Sequence, residues 1–204
     1  MSQGAYLAIR AFSRCSVKTA AHSPDVNAMP DLAALPPFTD DGDLQMVVET
    51  PRGATVKLKY EPAMRAFTVS RALSLGIAYP FDWGFIPDTV CEDGDPLDAL
   101  AIHDSATYPG VVLPCRPLGV VDVSQKSKSG RQQNPRLILM PIWHDRMGEF
   151  EKATGLPSRL REEIEQFFVS ATFFTGKDPR IEGWRGPKAA GKLVASCRTK
   201  RQAG

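Results

Sequence analysis

The sequence predicts an α+β domain in which a small β-barrel or sandwich precedes two helices. Short runs that favour β-structure, separated by turn residues, extend from residue 44 to residue 142. The last third of the chain then changes to the periodicity of amphipathic helices. Strands that come first and helices that come last indicate an α+β domain, because alternating strands and helices would instead indicate a parallel sheet.

The predicted strands are short and are bounded by turn signals. Within residues 56–60 apolar and basic residues alternate strictly, so Val56, Leu58 and Tyr60 should face a core and Lys57 and Lys59 the opposite side. Proline and glycine interrupt the pattern between the runs. The predicted strands are residues 44–49, 55–60, 66–70, 98–102, 111–113, 118–123 and 136–142.

Two helices are predicted in the last third of the chain. Apolar residues recur at helical spacing from Leu160 to Phe168, and Ser158 before them suits an N-cap. The second helix should begin at Pro187, because proline is favoured at the first helical position.

The first 43 residues differ in composition from the rest. No acidic residue precedes Ser23, whereas basic, serine and alanine residues are frequent, and a proline-rich acidic stretch follows. This composition fits an organelle transit peptide, and it equally fits a non-native upstream extension. The sequence therefore predicts a flexible extension over residues 1–43 and a folded domain over residues 44–200.

The overall charge and the cysteines exclude several classes of protein. With 25 Lys+Arg against 23 Asp+Glu the net charge is +2, so nothing indicates general binding to nucleic acid. No apolar stretch is long enough to span a membrane. The four cysteines form no Cys-x-x-Cys pair, so we expect reduced thiols in a cytoplasmic protein, with an organelle as the alternative location.

The most informative stretch is the acidic sequence Glu-Asp-Gly-Asp-Pro-Leu-Asp at residues 92–98. Glycine permits a tight turn and proline stiffens it, so Asp93, Asp95 and Asp98 are expected to converge on one point. Carboxylate oxygens without histidine or cysteine favour a hard cation, above all Mg²⁺. The alternative is an acidic turn that is simply solvated.

Basic residues upstream of this turn strengthen the metal-site interpretation. Lys57, Lys59 and Arg71 lie on predicted strands, followed by Tyr79, and together they suit an anion with several phosphoryl oxygens. Taken singly, an exposed lysine on a strand serves solubility more often than it binds a ligand. Carboxylates and cations together predict metal-assisted phosphoryl chemistry.

These motifs resemble the soluble Mg²⁺-dependent inorganic pyrophosphatases of family I. The similarity covers roughly residues 44–197 and implies a five-stranded OB-like β-barrel flanked by two helices, homo-oligomeric assembly, and hydrolysis of pyrophosphate to two phosphates. The motifs that carry it are Val-Val-Glu-Thr-Pro at 47–51, Tyr-Pro-Phe-Asp-Trp-Gly-Phe-Ile-Pro at 79–87, the acidic sequence at 92–98, Cys-Arg-Pro-Leu-Gly-Val at 115–120 and Glu-Gly-Trp at 182–184.

The resemblance also implies roles for individual residues. Asp95 would be the general base toward the attacking water. The other implied site residues are the metal ligands Asp93 and Asp98, the outer metal-linked Glu49, and the substrate-binding residues Lys57, Arg71, Tyr79 and Arg136.

Several positions depart from the family pattern. Lys59 stands where the best-known members have glutamate, and Trp83 replaces a phosphate-binding tyrosine. Family carboxylates are missing at Gln125, Lys126 and Asn134, and Ala171-Thr172 replaces a Tyr-Lys pair after the long helix.

We therefore expect a pyrophosphatase with fewer metals and weaker phosphate binding, with Lys and Arg of residues 125–136 replacing part of the missing positive charge. The alternative is a paralogue that binds a phosphorylated ligand or a protein partner with little catalysis. A third class, nucleic-acid binding through the barrel, has its best support in the basic C-terminal tail.

Overall fold

The computed structural model describes residues 30–143 and 150–198. In this part of the chain there are nine strands and two α-helices, together with short 3-10 turns. The strands are β1 (Leu44–Thr50), β2 (Val56–Glu61), β3 (Ala66–Ala72), β4 (Asp82–Ile86), β5 (Leu97–Ala101), β6 (Val112–Ser127), β7 (Gly130–Gln133), β8 (Arg136–Pro141) and β9 (Arg180–Arg185). The helices are α1 (Ser158–Ser170) and α2 (Pro187–Cys197).

Five of these strands form a closed ring. β1 pairs with β4, β4 with β5, β5 with β8, β8 with β6, and β6 returns to β1. Every pairing in the ring is antiparallel except β5 with β8. Together with α1 and α2, this ring is the predicted OB-like barrel with two C-terminal helices. β2 and β3 form a separate hairpin, while β7 and β9 extend the sheet from β6.

The two helices cover opposite faces of the sheet, and β8 shows how. Leu137 and Leu139 belong to the apolar cluster that includes α2, whereas Ile138 and Met140 belong to the cluster that includes α1. Successive side chains of a strand point to opposite faces, so β8 is buried on both. None of the helices in the described ranges is long and apolar enough to cross a membrane.

Some predicted elements differ from the observed ones. The predicted strands 111–113 and 118–123 are one long strand, β6, whose register against β8 shifts between Pro117 and Gly119. A bulge accommodates Pro117, whereas Pro114 pairs in register with Gln45 of β1. A side chain at Gly119 would overlap the backbone oxygen of Arg185, which explains the glycine there. α1 already begins at Ser158, so the predicted N-cap is wrong by one residue, whereas the start of α2 at Pro187 is confirmed.

Residues just before β1 contact the barrel. Leu32 is buried beside Tyr60 and Phe85, and its backbone N–H donates to the Tyr60 hydroxyl at 3.1 Å. Phe38 forms an isolated bridge with Leu44. The domain boundary at residue 43 stays a prediction, and residues 1–29 of the expected extension lie outside the described residues.

The expectation of reduced thiols is wrong for two of the cysteines. Cys91 and Cys197, which are 106 residues apart, form a disulfide, while Cys115 is a buried free thiol. The backbone brings the pair together, because Thr89 forms a bridge with Arg198. Their separation in sequence gave no sign of this proximity. The disulfide joins the start of the acidic turn to the end of α2.

Candidate active site

The acidic turn connects β4 to β5 and is held by its own backbone. The Cys91 N–H donates to the Asp95 carbonyl at 2.9 Å, and the Gly94 N–H donates to the Cys91 carbonyl at 3.0 Å. Gly94 has a φ of 84°, a left-handed conformation that favours glycine. Asp93 accepts a hydrogen bond from the Asp95 N–H at 3.2 Å. These hydrogen bonds therefore fix the conformation of the turn and, with it, the positions from which its carboxylates project.

The three aspartates do not converge on a single point. Asp95 and Asp98 line a cavity of about 270 Å³, whereas Asp93 and Asp98 line a neighbouring one. Among the residues that the structure describes, no three Asp, Glu, His or Cys side chains are grouped closely enough to hold a metal ion. The expected convergence is therefore absent from this geometry, and Asp98 is the carboxylate that both cavities share.

Cations of the chain pair with two of these carboxylates. The Lys59 ammonium lies 3.3 Å from an Asp95 oxygen. Arg136 donates to the Asp98 carboxylate and to the side-chain oxygen of Asn134. The donor chemistry still suits a hard cation, because carboxylate oxygens are the ligands that such a cation prefers, and Asp98 lines both cavities. A metal ion bound here would have to compete with Lys59 and Arg136.

Glu49 lies on β1 at the wall of the same cavity. It is only 7 % exposed and accepts a hydrogen bond from the Tyr60 N–H at 2.8 Å. Burial raises the pKa of Glu49 to about 7, and the neighbouring Asp98 charge adds to the rise while Lys57 and Lys59 oppose it. A buried carboxyl group therefore lies at the wall of the cavity, where a bound cation would favour its ionised form.

A smaller cavity, distinct from the one that Asp93 lines, adjoins the cavity of about 270 Å³ and is rich in cations. Lys57 on β2 and Arg71 on β3 are register partners in the hairpin, and both line it. Arg71 also donates to the carbonyl of Ala171 at 2.7 Å, which ties the hairpin to the end of α1. Lys57 and Arg136 line both cavities. The expected phosphate-binding cations are therefore brought together, next to the carboxylates.

Aromatic side chains form the floor of this smaller, cationic cavity. Tyr79 is 4 % exposed and its ring lies 4.9 Å from that of Phe167. Burial raises the pKa of the Tyr79 hydroxyl above its usual range, with Arg71 opposing the rise, so Tyr79 is a neutral donor at physiological pH. It lies in the α1 cluster with Trp83, so packing of α1 fixes both rings.

Trp83 is a buried donor beside the cations. Lys57 and Arg136 lie over its ring at 5.8 and 5.3 Å. Its Nε1 is buried and has no hydrogen-bond acceptor among the described residues. Because such groups are rarely left unpaired, a cavity lined by this donor and by cations suits an acceptor-rich anion.

Lys177 was missed by the sequence reasoning. It lies in the turn between α1 and β9 and lines both cavities. The available signal was a Gly-Lys turn that closely follows a helix end without the family's Tyr-Lys pair. Of the basic residues in 125–136, Arg136 does line the site. Lys126 and Arg131 instead bind Asp178, so they do not replace the missing charge directly.

Comparison with known proteins agrees with this arrangement. The family model described as Inorganic pyrophosphatase matches residues 46–202. An inorganic pyrophosphatase from Synechocystis sp. is 31% identical over 167 residues, which cover 82% of this chain and 96% of the relative. One from Thermus thermophilus is 34% identical over 157 residues, which cover 76% and 87%.

The fold agrees as well. The crystal structure of inorganic pyrophosphatase from Thermus thermophilus superimposes with a TM-score of 0.75 at 32% identity, covering 82% of this chain and 97% of that one. The structure of an inorganic pyrophosphatase from Coxiella burnetii superimposes with a TM-score of 0.72 at 25% identity, covering 80% and 97%. On sequence, fold and the arrangement of cations and carboxylates, the chain belongs to the inorganic pyrophosphatase family.

Proposed function

We propose that the protein hydrolyses inorganic pyrophosphate to two phosphate ions, with Mg²⁺ as its metal cofactor. The observation that carries this function is a cluster of cations that adjoins a set of carboxylates. Lys57 and Arg136 line a cavity with Glu49, Asp95 and Asp98, and both also line the smaller cationic cavity. Such a pair of cavities suits a substrate that is an anion at both ends and is bound together with metal ions.

The cations have a chemical reason to lie where they do. Pyrophosphate carries several negative charges, which would repel an attacking hydroxide unless they were neutralised. In the proposal, Lys57, Arg71 and Arg136 bind its oxygens, and the guanidinium groups are suited to two parallel hydrogen bonds. Tyr79 and Trp83 donate neutral hydrogen bonds from the floor. This arrangement stabilises charge on the reacting phosphoryl group.

The family requires a divalent metal ion. In the proposal, Asp93, Asp98 and Glu49 hold Mg²⁺, whose preference for carboxylate oxygens they match. When bound, such an ion neutralises phosphate charge and lowers the pKa of a coordinated water. Because Lys59 and Arg136 already pair with two of the carboxylates, we infer that fewer metal ions are bound than the number of carboxylates would suggest.

Asp95 is the proposed general base. It is solvent-exposed at the tip of the turn, and its partner Lys59 stays protonated at neutral pH. Partial burial works to lower the pKa of Lys59, but the Asp95 charge and hydrogen bond outweigh it and raise the pKa. The Asp95 carboxylate would take the proton of the attacking water, and Lys59 would keep this carboxylate oriented.

A phosphate-release assay tests the function. The purified protein with Mg²⁺ and pyrophosphate should release phosphate, and Asp95→Asn should reduce the rate by roughly a hundredfold or more. Asp41→Asn, an exposed aspartate far from the cavities, should match the wild type. Equal rates in the wild type and in Asp95→Asn would contradict the proposal. Calorimetric binding of pyrophosphate without turnover would instead favour a non-catalytic phosphate binder.

Assembly and location remain predictions. We expect a homo-oligomer, which light scattering of the purified protein would measure. The cytoplasmic location stays a prediction, with an organelle as the alternative, and the Cys91–Cys197 disulfide does not choose between them. Fusing residues 1–43 to a fluorescent reporter tests the location.

A further inference from the structure

The turn between α1 and β9 places one lysine at the border between the cavity of about 270 Å³ and the smaller, cationic cavity. Lys177 lines both of them, and among the residues described as lining them only Lys57 and Arg136 share this position. These other two cations come from β2 and β8, so Lys177 brings a third charge from a third direction. An anion that spans the two cavities would pass beside all three.

In the absence of a ligand, the neighbouring cations disfavour the positive charge of Lys177. Partial burial is the main cause that lowers its pKa, followed by repulsion from Lys57, Arg136 and Arg71, while Asp98 acts in the opposite direction. Cations that gather against their mutual repulsion are stabilised when a polyanion binds among them. The electrostatics therefore favour a ligand-binding role for Lys177 over that of a solvated surface lysine.

The turn that carries Lys177 is unusual in its backbone. Gly176 has a φ of 71° and Asp178 has a φ of 41°, so left-handed residues stand on both sides of the lysine. Glycine adopts this conformation freely, whereas a residue with a side chain adopts it less readily. Contacts from outside the turn therefore help to hold Asp178 in this conformation.

The β6–β7 hairpin supplies that support. Lys126 and Arg131 are direct register partners across the hairpin, an arrangement of like charges that by itself destabilises a pair of strands. The Asp178 carboxylate lies 3.2 Å from the Lys126 ammonium and 2.7 Å from Arg131 Nη2. Arg131 also donates to the Asp178 carbonyl at 3.0 Å, and the Lys126 N–H donates to the Lys177 carbonyl at 2.6 Å. These contacts hold the backbone at the carbonyl groups of Lys177 and Asp178.

The end of α1 offers no charge of its own to the cavity. Ala171 and Thr172 line it, but the Thr172 hydroxyl donates to the Phe168 carbonyl at 3.1 Å within the helix end. The Ala171 carbonyl accepts from Arg71. A cation on this side of the cavity therefore comes from the turn that follows.

We propose that Lys177 is a further substrate-binding residue, whose ammonium group binds a terminal phosphoryl oxygen of pyrophosphate. Asp178 and Arg131 are its positioning residues, and the β6–β7 hairpin serves to hold the turn. This inference rests on the proposed function, since it names a new residue for the same substrate. It also gives a role to the basic residues of the hairpin, which lie outside the cavities.

Steady-state kinetics test the role of Lys177. Lys177→Met keeps the length of the side chain and should raise KM for pyrophosphate about tenfold, the value of one charge-assisted hydrogen bond, with kcat changed less than threefold. Lys177→Arg should restore most of the loss. The matched control is Lys192→Met, an exposed lysine of α2 away from both cavities, which should behave as the wild type. A wild-type KM in Lys177→Met would overturn the proposal.

A double-mutant cycle tests the positioning residues. Asp178→Asn alone should raise KM several-fold, but in the Lys177→Met background it should add less than twofold, because it acts through the lysine. Additive effects would overturn the positioning role, and melting temperatures will separate it from simple unfolding. If the wild type binds pyrophosphate without hydrolysing it, the same variants should weaken the calorimetric Kd. Asp95→Asn reports on turnover, so failure of catalysis and failure of Lys177 are distinguished.

Discussion

The ammonium group of Lys59 lies 3.3 Å from a carboxylate oxygen of Asp95, at a position where the chain departs from the family pattern. The pair joins β2 of the separate hairpin to the acidic turn, which connects β4 and β5 of the ring. It places a fixed positive charge beside the carboxylates that are proposed to receive metal ions. The positive charge in the site therefore comes from lysine and arginine side chains as well as from bound metal ions.

Removing this charge should strengthen metal binding. In Lys59→Met the carboxylate cluster loses a competing cation, so we expect the calorimetric Kd for Mg²⁺ to fall about two- to fivefold, as for an exposed ion pair. Lys188→Met, on the exposed face of α2, should leave the Kd unchanged. Weaker Mg²⁺ binding in Lys59→Met would show that Lys59 does not compete with the metal ion.

The indole N–H of Trp83 should contribute to substrate affinity. Trp83→Phe keeps an aromatic ring in the α1 cluster but removes the buried donor, so KM for pyrophosphate should rise about two- to tenfold. Trp143→Phe, whose ring is half-exposed, serves as the control. An unchanged KM in Trp83→Phe would mean that the indole N–H does not contact the substrate.

A buried carboxylate should make the fold sensitive to acid. Asp82 is fully buried and is hydrogen-bonded to His103 at 3.1 Å, to the Thr107 hydroxyl at 2.5 Å and to the Arg52 N–H at 2.7 Å. Burial opposes its ionisation, but these hydrogen bonds outweigh it and lower the pKa of Asp82. Its contribution to stability is therefore fully present above the pKa of an unfolded aspartate, near 4, and is lost as the pH falls through the lower folded value.

Asp82→Asn tests this contribution. The free energy of unfolding in urea should fall by about 2 kcal/mol at pH 7, and its decline between pH 5 and pH 3 should be shallower than in the wild type. Asp41→Asn provides an exposed comparison. A wild-type acid dependence in Asp82→Asn would assign the acid sensitivity to other carboxylates.

The disulfide should be a major source of stability. Closing a loop of this length restricts the unfolded chain, so reduction should lower the free energy of unfolding by about 2–5 kcal/mol. A variant with both Cys91→Ser and Cys197→Ser should be equally destabilised and insensitive to reductant. Peptide mapping without reductant should recover the two cysteines in one linked fragment. Recovery of two separate thiol peptides from freshly purified protein would contradict the linkage.

Local patterns in the sequence predict several elements well. The alternation in residues 56–60 correctly indicates that Lys57 and Lys59 point to one side, and both line the cavity of about 270 Å³. The hairpin covers Val56 and Leu58 only partly, however, and of the three apolar residues Tyr60 alone is buried. Amphipathic spacing likewise predicts both helices. These features depend on neighbours in sequence, so the sequence alone contains the necessary information.

Features that depend on distant contacts were missed. β4 is buried at every position, so it shows none of the alternation that marks a half-exposed strand. The Arg136–Asp98 pair joins β8 to β5, and the disulfide joins residues 106 apart. Lys177 reaches the site through a turn whose position depends on a separate hairpin. No local periodicity encodes such proximities.

The long strand β6 has a consequence for how the chain folds. It pairs with β1, β7, β8 and β9, and the β1 pairing places Leu44 beside Cys115. Loop entropy must be lost before such distant partners meet, so topologies of this kind fold slowly, on the order of milliseconds to seconds. A nascent chain that ends before β8, which begins at Arg136, cannot close the ring. We therefore expect the ring to close late in synthesis, and the two cavities, which are lined by residues of β1, β2, β5 and β8, to form together with it.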